Sequence, residues 1–394
     1  MESTSTDERV LPRTKVIRHL RQAINEGVYV AGDRLPPEQS FVHSLGVSRS
    51  TVRAALEEAE RSGLIESRKH KGRWVSRGAP VVGGGASLIR RRVAVVSTWS
   101  WDFASVRHLG VEPAVDAGTR DMLEECGIHP IHLRLRRDNG DELGRELARE
   151  RPKGVIVDHT SDVEEAALQL LNHLKAAGVP AVVQSNDERF APFDRVVADH
   201  ERGAYELARE LIRRGRQRIL RVWEGRHADA AWQKARDRGF ERAMREAGLE
   251  LLPPVCVQGL MARGGGSSDE DVFRVRVQQA AGFLIEPMQG AARPDAIMAS
   301  TDGQISTLAG ALRLFRLAPN EDVVLAGYDN YWWLCWERQF EETRPALTME
   351  KGNVEIGRSL VRLLLEQIEE PGAEPRVWTV HPKLIVPGET APAE

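Results

Sequence analysis

Short runs of β-branched and small apolar residues recur from about residue 91 onward, at VAVVS (93–97), GVIVD (154–158), AVVQ (181–184) and DVVLAGYD (322–329). Longer segments with helical spacing separate them. In one, Ala204, Leu207, Ala208, Leu211 and Ile212 fall at i, i+3, i+4, i+7 and i+8 and form a single apolar face. Strands joined through helices run parallel, so the alternation predicts an α/β fold with parallel sheets covered by helices. Residues 91–394 are too many for one open sheet. Two Rossmann-like lobes with a cleft between them are expected, with ligand at the carboxyl ends of the strands.

A chain of 394 residues exceeds what one hydrophobic core organises, so further folding units are expected. The 41% hydrophobic and 29% charged fractions are those of globular proteins, and no stretch reaches the roughly 18 apolar residues of a membrane span. Residues 1–10 are polar and acidic, unlike a secretory signal, which predicts a cytoplasmic protein without membrane partners. Cys126, Cys256 and Cys335 are far apart and form no Cys-x-x-Cys pair, which predicts buried thiols.

The segment SRGAPVVGGGASLI (76–89), with Gly83, Gly84 and Gly85 in succession, reads as a linker. It gives three parts: residues 1–78, a connector 79–90, and residues 91–394. Residues 1–78 carry 14 Lys or Arg against 10 Asp or Glu, whereas the remainder is acidic by 7. Opposite-sign halves point to one polyanion-binding module. Within it, helical spacing runs over 13–26, 37–45 and 48–62, followed by extended pieces at 64–67 and 73–76 around a basic tip. Gly46 allows a tight turn and Ser48 can cap the next helix, where Val52, Ala55, Leu56 and Ala59 form an inward face. Arg49 and Arg53 then share an outward face, as a helix laid in a DNA major groove needs, though a solvated helix can show the same pair. Arg68, Lys69, Lys71, Arg73 and Arg77 fall within ten residues that contain no acid, as a hairpin lying along phosphates requires.

Gly32-Asp33-Arg34-Leu35-Pro36-Pro37-Glu38, Gly46-Val47-Ser48-Arg49-Ser50-Thr51-Val52-Arg53 and Gly63-Leu64-Ile65 together resemble the GntR-family winged helix-turn-helix over residues 10–77. The resemblance implies DNA contacts by Arg34, Ser48, Arg49, Ser50, Thr51 and Arg53, and by His70, Lys71 and Gly72 of the wing. Gln39 stands where many members carry a basic residue, and His70 and Arg73 replace the usual Gly and Thr beside the wing glycine.

Past the linker the usual GntR partner domains are not seen. Residues 91–387 instead resemble the effector domain of the LacI/GalR family, whose fold is that of periplasmic sugar-binding proteins. The stretches that carry this are 199–214 with 218–223, Arg236-Asp237-Arg238-Gly239-Phe240, and Pro294-Asp295-Ala296-Ile297 leading to Thr301-Asp302 and Gly327-Tyr328-Asp329-Asn330. The combination of the two resembles the arabinose-repressor group. It implies that Arg236 holds effector hydroxyls or a carboxylate and that Asp329 accepts hydrogen bonds from a sugar, the alternative for Asp329 being a turn or hinge. Thr301 replaces a common Asn, and Asp302 reads equally as ligand contact or helix cap. Trp99, Trp101, Trp332 and Trp333 follow strands, where they either stack on a sugar or pack in the core; Trp99, Asp102 and Phe103 are first-lobe effector candidates and Trp332 a second-lobe one.

The rival classes are an enzyme and a cytoplasmic sugar-binding protein of the same α/β fold. No Gly-x-Ser-x-Gly, His-Glu-x-x-His or P-loop motif is present, His129 and His132 lack ligand partners nearby, and Gly264-Gly265-Gly266 reads as a loop. No catalytic residue, metal or cofactor is assigned. The expected partners are operator DNA, a small sugar-like effector and a second copy in a homodimer, since two heads would read a pseudo-palindrome.

Overall fold

The computed structural model describes residues 12–25, 29, 32–68, 72–76, 92–98, 112–225, 229–257, 268–289 and 292–388. Two compact units divide it, one within 1–107, 127–157 and 163–180, the other within 108–126, 158–162 and 181–394. The linker at 77–91 and the glycine run at 264–266 lie outside the described residues.

The first unit opens with α1 (Pro12–Asn25), α2 (Glu38–Leu45) and α3 (Arg49–Arg61), then the hairpin β1 (Ile65–Arg68) and β2 (Gly72–Val75). Val52, Ala55, Leu56 and Ala59 of α3 are buried, the face their spacing predicts, and they share a core with Val16, Leu20, Phe41, Ile65 and Val75. Gly46 ends α2 at φ 64°, where its backbone N–H returns to the Val42 carbonyl. Ser48 caps α3 by accepting from the Thr51 N–H. β1 and β2 pair antiparallel with Ile65 opposite Val75 and Arg68 opposite Gly72.

The same unit holds β3 (Val93–Ser97), the adjoining β4 (Ile131–Arg134), α5 (Gly140–Glu150), β5 (Gly154–Val157) and α6 (Glu164–Ala176), with α4 (Glu112–Glu125) belonging to the second unit. β3 lies between β4 and β5, parallel to both, and its five residues are all buried, as expected of a strand covered on both faces.

The second unit continues with β6 (Ala181–Gln184), β7 (Asp194–Ala198), α7 (His200–Arg213), β8 (Ile219–Glu224), α8 (Ala231–Glu246), β9 (Val255–Val257), α9 (Asp269–Met288), β10 (Ala296–Ala299), α10 (Ile305–Leu314), β11 (Val324–Ala326), β12 (Thr348–Glu350), α11 (Asn353–Glu369), β13 (Val377–Val380) and β14 (Lys383–Ile385). β13, β7 and β6 run parallel side by side. A separate parallel sheet has the order β11-β10-β8-β9. Successive side chains of its strands leave opposite faces. Leu220, Val222, Ile297, Ala299 and Leu325 meet α9 and α10, whereas Ile219, Ala296, Met298, Val324 and Ala326 meet α7 and α8.

Because the chain passes from β8 outward to β9 and then to β10 on the opposite side, the strand order reverses between β8 and β10. Such a switch point opens a crevice at the carboxyl ends of the strands. Close packing of α8 on α7 is needed to bring α8 to this point, and Gly239 permits it: a Cβ there would lie 1.9 Å from the Glu201 carbonyl oxygen.

The α/β reading and its parallel sheets are thus borne out. The cysteines are a correction: Cys126 and Cys256 are exposed and Cys335 is half-buried, because Cys126 follows the last turn of α4 and Cys256 sits on the outermost strand of its sheet.

Candidate functional sites

In the head, Arg49, Ser50 and Arg53 are exposed on α3, opposite its buried stripe. A single carboxylate organises the arginines. Glu38, the first residue of α2, accepts from Arg53 at 3.1 and 3.3 Å, from Arg73 of β2 at 3.0 Å and from Arg49 at 3.4 Å. The Arg53 hydrogen bond, opposed by burial and reinforced by Arg73 and Arg49, brings the Glu38 carboxyl down to about 2. Three cations on one anion leave a net positive face that joins helix to wing. The Ser48 hydroxyl lies 2.9 Å from that of Ser50 and 2.8 Å from that of Thr51, so its first task is the helix start. Arg34 packs along Gly72, whose φ of 87° suits glycine; a Cβ there would touch the guanidinium at 3.4 Å. The structure therefore brings Arg34, Gly72, Arg49 and Arg53 together with Arg73 and Glu38. His70 and Lys71 lie outside the described residues.

At the switch point of the second unit, the side chain of Arg236 from α8 is 2% exposed. Its guanidinium carbon sits 3.4 Å from the ring centroid of Tyr328 and 4.7 Å from that of Trp232, one helical turn before it. Nη1 donates to the Ser300 carbonyl just past β10, Nε donates to His200 Nδ1 at 3.2 Å, and Nη2 lies 3.6 Å from Asp329 Oδ1. Burial, then the charges of Arg236 and Lys351, hold His200 well below the ordinary histidine range, so its imidazole is neutral and its Nδ1 is free to accept. Asp329 occupies the left-handed region at φ 82°, followed by Asn330 at 50°. Such geometry in non-glycine residues concentrates at functional sites. Asp329 is thus a turn residue and a buried carboxylate at once, with Lys351 Nζ also 3.6 Å from its Oδ1.

Asp302 does not cap the helix that follows it. Its Oδ1 accepts from the Thr348 hydroxyl at 2.8 Å, and its Oδ2 accepts from the N–H groups of Tyr331 at 3.0 Å and Trp332 at 3.3 Å. It ties down the loop that carries Asp329 instead of capping α10. Gly327 is required beside it, since a Cβ there would fall 1.8 Å from Asp302 Oδ1. Burial pushes the Asp302 carboxyl up to about 8; the Thr348 hydrogen bond opposes this and the Asp329 charge adds to it. A carboxyl raised in the folded state favours folding below its unfolded value of 3.8 and loses that contribution as pH rises toward 8. The urea midpoint should therefore fall between about pH 4 and 8, and Asp302→Asn, neutral throughout and able to keep all three hydrogen bonds, should flatten that fall. An unchanged slope in the variant would remove Asp302 as the cause.

Trp332 is half-buried, edge-on to Trp333 at 5.9 Å and beneath the Arg338 guanidinium at 4.9 Å. Trp99, Trp101, Asp102 and Phe103 lie outside the described residues. His200, Trp232 and Lys351 were not singled out from sequence. His200 follows the α7 cap Asp199 directly, and Trp232 stands four residues before Arg236, so helix spacing from Arg236 would have found the latter.

Three family models match the chain: bacterial regulatory proteins of the gntR family over residues 12–75, periplasmic binding proteins and sugar binding domain of the LacI family over 119–259, and a periplasmic binding protein-like domain over 208–390. The arabinose metabolism transcriptional repressor of Halalkalibacterium halodurans is 22% identical, with 96% of each chain covered. That of Geobacillus stearothermophilus is 23% identical, covering 97% of this chain and 99% of its own. The HTH-type transcriptional repressor PurR of Vibrio vulnificus is 28% identical over 61% of this chain, which spans 65% of that repressor's length. Among solved structures, a CelR–cellobiose complex superposes with a TM-score of 0.58 at 19% identity, covering 89% of this chain and 99% of its own. The lac repressor dimer bound to operator and the anti-inducer ONPF gives 0.56 at 16% identity, covering 75% and 93%. The sequence relatives are named repressors, not enzymes. No described helix is long and apolar enough to cross a membrane. The chain thus joins a segment that matches the gntR-family model to one that matches the periplasmic-binding-protein-like and LacI-family sugar-binding models.

Proposed function

We propose that the protein is a cytoplasmic, homodimeric repressor of carbohydrate-utilisation genes, released from its operator by a sugar-like effector. The observation that carries this reading is the pairing in one chain of an arginine-bearing α3 with a buried Arg236–Asp329 pair at a sheet switch point, and the similarity to the arabinose metabolism repressors over nearly the whole chain supports it. Residues 1–78 form the DNA-binding domain in this reading, 79–90 the linker and 91–394 the effector domain. Arg49 and Arg53 reach guanine edges, Ser50 and Thr51 contact phosphates, and the wing from His70 to Gly72 follows the adjacent groove. Arg236 and Asp329 take paired hydroxyls of the ligand, which a planar fork of donors and a carboxylate suit.

Release requires the ligand to bind the DNA-incompetent state more tightly. A shift from about 1:99 to 99:1 needs a preference near 10⁴-fold, or about 5.5 kcal/mol. Selection from random-sequence DNA with the full chain should return a pseudo-palindrome whose half-sites contain guanines. Recovery of no common sequence would remove the operator-binding role.

A further inference from the structure

Beside the Arg236–Asp329 pair stands a cation that the fold leaves unused. Lys351 directly follows β12, and its side chain is 9% exposed. Among the described residues its ammonium makes one polar approach, 3.6 Å to Asp329 Oδ1, and no hydrogen bond. Asp329 Oδ1, itself without a hydrogen bond, is shared with Arg236 at the same distance. The ammonium's N–H donors therefore have no acceptor among the described residues and are open to one from a ligand.

Among the described residues no carboxylate other than Asp329 comes within ion-pair distance of Lys351 or Arg236. His200 is neutral, and Asp302 is filled by Thr348, Tyr331 and Trp332 and kept largely protonated at neutral pH by its burial. Asp199 pairs with His381 at 3.3 Å. Glu350, next in the chain, accepts from the Gly352 N–H and from Asn330. Two cations thus share one carboxylate, Asp329, at ion-pair distance among the described residues.

We infer that the effector carries an anionic group, a carboxylate or a phosphate, and that Lys351 receives it alongside Arg236. The inference rests on the effector-sensing reading above and narrows its ligand class from sugars in general to sugar acids or sugar phosphates. A neutral sugar fills the lysine's donors with hydroxyl oxygens but brings it no counter-charge. An anionic oxygen group supplies acceptors and charge together, and charge-assisted hydrogen bonds are the stronger kind.

The test is calorimetry and thermal shift of the full chain with matched ligands: D-glucuronate against D-glucose, D-galacturonate against D-galactose, L-arabinonate against L-arabinose, and glucose 6-phosphate against glucose. At least one anionic member should bind at least about tenfold more tightly than its neutral counterpart. The acid and phosphate arms separate the two anions. Lys351→Met should erase the preference, and Lys351→Arg should keep it, which guards against a Met variant that fails to fold. Neutral sugars binding as well as their anionic counterparts, or a preference unchanged in folded Lys351→Met, overturns the inference and leaves the sensor reading standing. Binding by no member of any pair overturns both.

Discussion

Replacing Arg49 and Arg53 together by alanine should abolish specific binding to the selected operator at concentrations that saturate the wild type. Each bidentate arginine–guanine contact contributes about 1–3 kcal/mol of discrimination, so losing two costs about 2–6 kcal/mol, or roughly 30- to 10⁴-fold in affinity. The structure adds a second cause. Both arginines neutralise Glu38, which in the double variant keeps only Arg73 and presents its charge to the phosphates. Adding Glu38→Gln should restore the part due to repulsion but not the base contacts. Fluorescence anisotropy at one fixed salt concentration separates these, because non-specific affinity is itself salt-dependent. An Arg49→Ala, Arg53→Ala protein that binds like wild type would exclude α3 as the reading helix.

Arg236→Ala should abolish effector binding in calorimetry and lower the melting temperature of the body as well. Removing one partner of a buried ion pair costs about 3–5 kcal/mol, because the other charge stays behind uncompensated. Here Asp329 would be left with Lys351 alone, Tyr328 would lose the cation stacked on its ring, and His200 and the Ser300 carbonyl would each lose a donor. Arg236→Lys keeps the charge but not the planar fork, so it should recover part of the stability and little of the binding. Unchanged ligand affinity in Arg236→Ala would place the effector elsewhere.

The head was legible because its information is local. Gly46, Ser48 and the stripe from Val52 to Ala59 lie within fourteen residues and act through turn, cap and helix period, all of which a linear reading contains. Glu38 sat inside the recognised stretch, yet its hold on Arg49, Arg53 and Arg73 spans up to 35 positions and needs the fold to appear. The effector site shows the same division. Arg236 and Asp329, with Tyr328 beside it, came from short motifs, whereas His200 and Lys351 converge on them from α7 and from the end of β12, and no spacing rule joins residues so far apart. For Asp302 the sequence offered a cap or a ligand contact. That its carboxyl ties down the loop bearing Asp329 depends on Thr348, 46 residues away. The exposed cysteines went unread because exposure of Cys126 and Cys256 follows from a helix end and an outer strand, not from residue type.

Coupling between the two halves is the centre of the account, and one titration addresses it. The selected operator is bound by the full chain in anisotropy at fixed salt while the sugar or sugar derivative that most raises its melting temperature is added. Allosteric coupling of ordinary size, about 5- to 150-fold, should raise the operator dissociation constant, and by linkage the operator should weaken the ligand by the same factor. In Arg236→Ala the operator affinity should stay at its ligand-free value at every ligand concentration. An operator dissociation constant unmoved in the wild type by saturating ligand would contradict the account.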